Sequence, residues 1–134
     1  MKVVHDLSFI IPLSIAVFFA IVFLQSGLDK VIDWKGNKSW ITGHFKDTFL
    51  SPMVPLMLGV VTVSELLAGA LAAFGGVYYI IYRSTFWIEQ ALILSILSLL
   101  MLLFGQRIAK DYDGAKTIAI YFGVAIVSAI ALMK

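Results

Sequence analysis

The sequence contains no cysteine and only two histidines in 134 residues. Disulfide relays, CxxC thiol chemistry, iron–sulfur clusters and thiolate metal sites are therefore excluded. His5 and His44 flank a long apolar run, which places them about 30 Å apart across a bilayer core, so they cannot share a haem iron or a copper ion. HExxH, Walker-type and Ser-His-Asp patterns are also missing. We expect no metal site and no independent hydrolytic or nucleotide chemistry.

Charged residues are scarce as well, at 13% of the chain against about 25% in soluble domains. Four apolar runs, residues 9–28, 54–75, 86–104 and 117–133, approach or meet the roughly 20 residues that span a bilayer. The sequence predicts an all-α fold, a transmembrane four-helix bundle that forms one integral membrane domain over residues 1–134. The net charge of +2 is small, and the lysines lie in the connections, so we expect membrane lipid and no nucleic acid as partners.

The second apolar run continues beyond residue 75 to Tyr82. Gly75 and Gly76 are adjacent and predict a break in the helix at that point. Because tyrosine is enriched at membrane–water interfaces, the segment after the break is expected to be interfacial.

The connection between the first two runs is long, at 23 residues from Asp29 to Ser51. Connections in helical bundles usually have about two to eight residues, so this one is expected to contain structure. Trp40, Phe45 and Phe49 fall close to helical spacing, with charged residues elsewhere around the wheel. The pattern predicts a short interfacial helix over residues 40–49, between helices one and two.

Lysine and arginine are unevenly divided between the two ends of the predicted bundle. Seven lie in the first and third connections, and three, Lys2, Arg83 and Lys134, share the other end. Cytoplasmic loops retain an excess of positive charge. The bias predicts these two connections in the cytoplasm and both termini outside it.

Glu65 is the only charged residue between residues 52 and 82 and lies near the centre of the second apolar run. An ionised carboxylate at the bilayer midplane costs at least about 2.5 kcal/mol, so such residues normally face protein or water and often mark a site. The structural alternative is a protonated Glu65 that hydrogen-bonds a neighbouring helix. Small residues recur beside it every four positions, at Ser64, Ala68, Ala72 and Gly76. This spacing predicts a close-packing helix face and a Glu65 carboxyl group that points into the bundle.

The first apolar run ends in a polar stretch, residues 25–30. A lysine at a helix end usually extends towards lipid headgroups, and Lys30 can do so. Alternatively, Lys30 or Asp29 turns inward and joins Glu65 in a polar site. Glu65 lies about ten residues from either end of its helix, so a direct pair requires a tilted or shortened first helix, or an intervening water.

A second polar pair, Glu89 and Gln90, lies near the start of the third run. Glu89 in a first helical turn is favoured by the helix dipole and is interpreted as an end-of-helix acid. The neighbouring Trp87 is either an interfacial anchor or an aromatic surface that stacks on a flat ligand. A bundle with one buried acid, a basic partner and aromatic edges is typical of a polar-tipped apolar cavity, which can hold a quinone or another amphiphile.

The order of short motifs resembles the DoxX-like family of small four-helix membrane proteins, which includes relatives of the DoxD subunit of thiosulfate:quinone oxidoreductase. The resemblance covers nearly the whole chain. It rests on residues 26–30 (Ser-Gly-Leu-Asp-Lys), 64–69 (Ser-Glu-Leu-Leu-Ala-Gly), 74–76 (Phe-Gly-Gly), 104–107 (Phe-Gly-Gln-Arg) and 111–115 (Asp-Tyr-Asp-Gly-Ala).

This resemblance implies a subunit or partner of a quinone-linked membrane oxidoreductase system in a bacterial inner membrane, with other membrane-protein subunits as partners. It marks Gly27, Lys30, Glu65 and Gly69 as family-type positions. The expected cofactor is a quinone, held without a covalent bond. Because the chain offers no redox-active residue of its own, we do not expect it to be catalytic alone.

The site hypothesis assigns two kinds of role. Glu65 exchanges protons, and Lys30 polarises a quinone carbonyl. The residues expected to border the quinone or lipid cavity are Gly27, Asp29, Gly69, Trp87 and Gln90. Two other functions remain open, a non-catalytic accessory subunit of a larger respiratory or secretory complex and a small proton-coupled transporter.

Overall fold

The computed structural model describes residues 2–133, and the side chains of residues 6–133. Within this part of the chain there are five α-helices and no strands, which confirms the all-α prediction. Four of the helices are long and apolar enough to cross a membrane, so the chain is an integral membrane protein in contact with lipid. The helices are α1 (Lys2–Ile32), α2 (Trp34–Phe45), α3 (Val54–Tyr82), α4 (Phe86–Ile108) and α5 (Tyr112–Leu132).

The two middle spans, α3 and α4, form the centre of the bundle, with α1 packed on α3 and α5 packed on α4. The core combines large side chains of α1, such as Phe19 and Phe23, with small ones of α3, such as Ala68 and Ala72. Apolar side chains on the outer faces stay exposed, as lipid contact requires. The predicted position of the termini rests partly on Lys2 and Lys134, whose side chains lie outside the described residues, and it stays a prediction.

Glycines bring α1 and α3 close together. A Cβ atom added at Gly69 would lie 2.8 Å from the backbone nitrogen of Leu24, and one added at Gly27 would lie 3.3 Å from the backbone nitrogen of Leu66. These two contacts show that the helices run antiparallel and fix their register. Only glycine allows backbones to approach this closely, as in other membrane helix pairs.

The predicted break at Gly75 and Gly76 is wrong, because α3 continues as a helix to Tyr82. Both glycines serve helix packing. A Cβ atom at Gly75 would lie 2.8 Å from the backbone nitrogen of Ile88 in α4, and one at Gly76 would lie 3.2 Å from a side chain of α1. The segment after them is held to the bundle by Tyr79, which is buried and donates a hydrogen bond of 2.9 Å to a backbone carbonyl of α1.

The predicted helix between the first two spans is present as α2, but its bounds differ from residues 40–49. It begins earlier, because Asp33 caps it by accepting a hydrogen bond of 3.3 Å from the backbone N–H of Gly36. It ends at Phe45, so Phe49 lies beyond it and is 74% exposed. Buried Phe45 anchors the helix in a small second core with Leu50 and Val54, at the end of the bundle where α1 ends and α3 begins.

Candidate functional site

Glu65 and Lys30 form an ion pair inside the bundle. The Lys30 Nζ atom lies 2.8 Å from Glu65 Oε1, and the exposed fractions of the two side chains are 15% and 2%. The lysine therefore turns inward instead of extending fully towards the headgroups. Of the alternatives that the sequence left open, the structure shows the inward one, with Lys30 and not Asp29 as the partner.

Ser26 links the two charged groups. Its hydroxyl donates a hydrogen bond of 2.6 Å to Glu65 Oε2 and accepts one of 2.8 Å from Lys30 Nζ. The other carboxylate oxygen, Oε1, has no well-aligned hydrogen bond and is balanced by the charge of Lys30. We call Ser26, Lys30 and Glu65 the polar cluster. Each carboxylate oxygen has one partner in it, and the bridging hydroxyl joins ammonium and carboxylate in one hydrogen-bonded path.

The offset between α1 and α3 explains how a residue near a helix end reaches one deep in another helix. Glu65 is eleven residues beyond Val54, about 17 Å along α3. In the register set by Gly27 and Gly69, the last turns of α1 lie level with Glu65, and α3 extends about two turns past the end of α1. The first helix itself is not shortened, since α1 has 31 residues, so the offset between the two helices is what allows the direct pair.

Lys30 also borders a cavity of about 230 Å³ at this end of the bundle. The cavity lies among the end of α1, α2, the start of α3, the end of α4 and the connection from α4 to α5. Its walls are mainly apolar and include five polar residues. The main apolar lining residues are Trp40, Ile41, Phe45, Met57, Leu58, Val61 and Leu102, and the polar ones are Lys30, Asn37, His44, Gln106 and Asp111.

One residue of the lining has an unused hydrogen-bond acceptor. Gln106 Oε1 is buried out of reach of water and has no hydrogen-bond partner among the described residues. Its neighbour Asp111 is engaged elsewhere, because it caps α5 by accepting a hydrogen bond of 3.1 Å from the N–H of Gly114. His44 Nε2 lies 3.9 Å from Asp111 Oδ2. A buried amide oxygen without a partner is costly, and rotation of the Gln106 side chain towards the cavity would relieve that cost.

Three other predicted site residues lie at this end of the bundle without bordering the cavity. Gly27 and Gly69 are buried in the contact between α1 and α3. Asp29 is exposed. The glycines therefore position the polar cluster through helix packing, because the neighbouring helix fills the space that a side chain at either position would need.

Trp87 and Gln90 are far from this end. Ser98 of α4 contacts the hydroxyl of Ser64, the neighbour of Glu65, and so marks the level of the polar cluster. Counted back from Ser98, the two residues lie about 12 to 17 Å away along α4. Trp87 instead packs edge-on against Phe74 and Phe86, with ring centroids 5.5 and 5.1 Å away. The structure does not bring them to the cavity.

The structure adds Ser26, His44, Gln106 and Asp111 to the residues singled out from the sequence. A signal existed for Ser26, which precedes Lys30 by four residues and so shares its helix face. Gln106 and Asp111 are five residues apart and lie within motifs of the family resemblance, whereas His44 belongs to α2, and only the fold brings it to the α4–α5 connection.

Comparisons with models of known protein families, with curated proteins and with solved structures find no match. The chemistry of the site is therefore argued from its geometry.

Proposed function

We propose that the protein binds a quinone in the cavity beside Lys30 and acts as a DoxX-like subunit or membrane partner of a quinone-linked oxidoreductase system. The observation that carries this proposal is the cavity itself, an apolar space with Lys30 and Gln106 among its lining residues. Ligand sites typically combine apolar walls with a few convergent polar groups.

The polar lining residues fit both forms of a quinone. Two N–H groups of Lys30 face Ser26 Oγ and Glu65 Oε1, each at 2.8 Å, and the third makes only a long contact of 3.4 Å to the Ser26 carbonyl, which a quinone carbonyl can replace as acceptor. The side-chain oxygen of Gln106, once rotated towards the cavity, can accept a hydrogen bond from a hydroxyl group. The cavity, at about 230 Å³, is smaller than the roughly 300 Å³ at which drug-sized sites begin. It suits a single ring, with an apolar tail that leaves between the helices into lipid.

Glu65 and Ser26 act on the ligand through Lys30. Glu65 does not border the cavity, so its contribution is to hold the ammonium in place and to share protons with it through the Ser26 hydroxyl. A bound quinone supplies the capacity to accept two electrons and two protons. Since the chain has no cysteine or other redox-active residue, the electrons come from another subunit or from a soluble substrate.

Binding of a short-tailed benzoquinone to the purified full chain in non-ionic micelles tests this proposal. We expect saturable binding that weakens at least about tenfold in Lys30→Met, because the variant removes the only ammonium group at the cavity edge among the described residues. Lys116→Met is the matched control, since Lys116 is exposed and does not line the cavity. Equal binding by both variants, or no saturable binding to the unaltered chain, contradicts the proposal.

A non-catalytic accessory subunit is the second candidate. It is favoured by the internal pairing of Glu65, whose two oxygens are both partnered within the bundle. In that case Glu65→Gln lowers stability or assembly and leaves quinone reduction in native membranes unchanged. Recovery of a solitary, monodisperse protein after mild crosslinking of those membranes would argue against this candidate.

A further inference from the structure

The two charged residues of the cavity lining differ in their partners. Lys30 is the only lysine or arginine that lines the cavity in the described part of the chain, and Glu65 neutralises it from behind at 2.8 Å. Asp111 is the only acid in the lining. It accepts a hydrogen bond from the Gly114 N–H at the start of α5, and its neighbour His44, at 3.9 Å, is charged only when protonated. Lys30 is therefore the charge that already has a buried counter-ion.

We infer that the cavity selects a neutral head group over an anionic one, and that Glu65 sets this selectivity by neutralising Lys30. The inference rests on the proposed function in one respect, that the cavity is a binding site for an amphiphile. It goes further by naming the ligand class: neutral molecules with carbonyl or hydroxyl groups bind, and carboxylates of the same shape are rejected.

Rejection of anions follows from the geometry of the polar cluster. An anionic head group would share Lys30 with a carboxylate that is 2% exposed and already bonded to Ser26. Two carboxylates near one ammonium repel each other, and the repulsion is strong where little water screens it. A neutral carbonyl oxygen can accept a hydrogen bond from the same ammonium without this penalty.

The test uses two ligands that share a ring and a ten-carbon tail: 4-decylbenzyl alcohol and 4-decylbenzoate. Their affinities for the purified full chain in non-ionic micelles are measured by displacement of a short-tailed benzoquinone or by tryptophan fluorescence, corrected for micelle partitioning. For the unaltered chain we expect the alcohol to bind at least about tenfold more tightly than the benzoate. Equal or tighter binding of the benzoate by the unaltered chain overturns the inference, whichever results the variants give.

The variants identify the residue responsible. In Glu65→Gln, the ratio of benzoate to alcohol affinity is expected to rise at least about tenfold, because Lys30 loses its counter-ion. In the double variant Lys30→Gln, Glu65→Gln the ratio is expected to return to within about threefold of the unaltered value. Glu89→Gln removes a carboxylate at the opposite end and should leave the ratio unchanged. An unchanged ratio in Glu65→Gln, or an equal rise in Glu89→Gln, overturns the inference.

The same titrations separate this inference from the proposed function. If the benzoquinone binds but the Glu65→Gln ratio does not move, only the charge selectivity is refuted. If the benzoquinone does not bind, the affinities are measured by tryptophan fluorescence alone. If the alcohol then binds with the expected selectivity, only the quinone assignment is refuted. If none of the ligands binds, both are refuted.

Discussion

Replacing Lys30 by methionine removes the counter-ion of Glu65 while keeping most of the apolar stem. The carboxylate that remains is 2% exposed and keeps Ser26 as its only hydrogen-bonding partner among the described residues. Breaking a buried ion pair by removing one partner costs about 3 to 5 kcal/mol. Lys30 is itself 15% exposed and borders a cavity that admits water, so we place the loss at the lower end, about 3 kcal/mol.

The double variant Lys30→Met, Glu65→Met is expected to be much less damaging than either single change. Replacing both partners by apolar residues of similar size is often neutral, because no uncompensated charge remains. We expect the double variant to lose less than about 1 kcal/mol and the coupling between the two positions to exceed about 2 kcal/mol. Ser26 can then satisfy its hydroxyl on a backbone carbonyl of its own helix.

Reversible unfolding of the purified chain in mixed micelles, followed by circular dichroism, measures all four species of this cycle. Glu89→Gln is the control for removal of a carboxylate from an exposed site, and it should change the unfolding free energy by less than about 0.5 kcal/mol. Additive losses, with a coupling below about 0.5 kcal/mol, would refute the argument that the pair is mutually dependent.

Three further substitutions test the packing and the helix ends by the same unfolding measurement. Gly69→Ala places a Cβ atom 2.8 Å from the backbone of α1 and should cost about 1 to 3 kcal/mol, whereas Gly59→Ala, with nothing within 4 Å, should be neutral or stabilising. Tyr79→Phe removes a bond to a carbonyl of α1 and should cost about 1 kcal/mol, against no change for exposed Tyr82→Phe. Asp111→Ala removes the cap of α5 and should cost about 1 kcal/mol, which Asp111→Asn should restore. A larger stability loss in Gly59→Ala than in Gly69→Ala, or in Tyr82→Phe than in Tyr79→Phe, would contradict the packing and hydrogen-bond assignments. An Asp111→Asn variant as unstable as Asp111→Ala would contradict the cap.

The four spans could be predicted from the sequence because apolar length is a local property that the bilayer thickness converts directly into helices. The ends of the helices were harder to predict from the sequence. Adjacent Gly75 and Gly76 predicted a helix break, yet they allow close contact with α4 and α1. A glycine that permits close packing and a glycine that ends a helix look identical in sequence, because the difference lies in a partner helix.

The connection that contains α2 shows the same limit. Aromatic spacing predicted a helix there, but its start is set by the Asp33 side chain and its end by the burial of Phe45 against Leu50 and Val54. The Asp33 cap is a local signal that is visible in the sequence. The burial of Phe45 is not visible there, because it depends on how α3 begins after the turn.

The placement of Lys30 was the decisive uncertainty in the site. A lysine at the end of an apolar helix reaches headgroups by default, and the depth of Glu65 argued against a direct pair. What decides the outcome is the register of α1 on α3, which the contacts of Gly27 and Gly69 fix. Register between membrane helices depends on side-chain shape along the whole contact, so no single motif reveals it.

The glycine contacts between α1 and α3 and the Lys30–Glu65 ion pair depend on each other. Close approach at Gly69 brings the last turns of α1 level with Glu65, and that level lets Lys30 meet the carboxylate while its side chain still borders the cavity. Had the helices been further apart, the same lysine would extend to headgroups and the cavity edge would carry no ammonium. A lysine held by a buried acid donates hydrogen bonds without offering a net charge. Under the selectivity that we infer, helix packing at positions that never touch a ligand therefore affects which ligands bind.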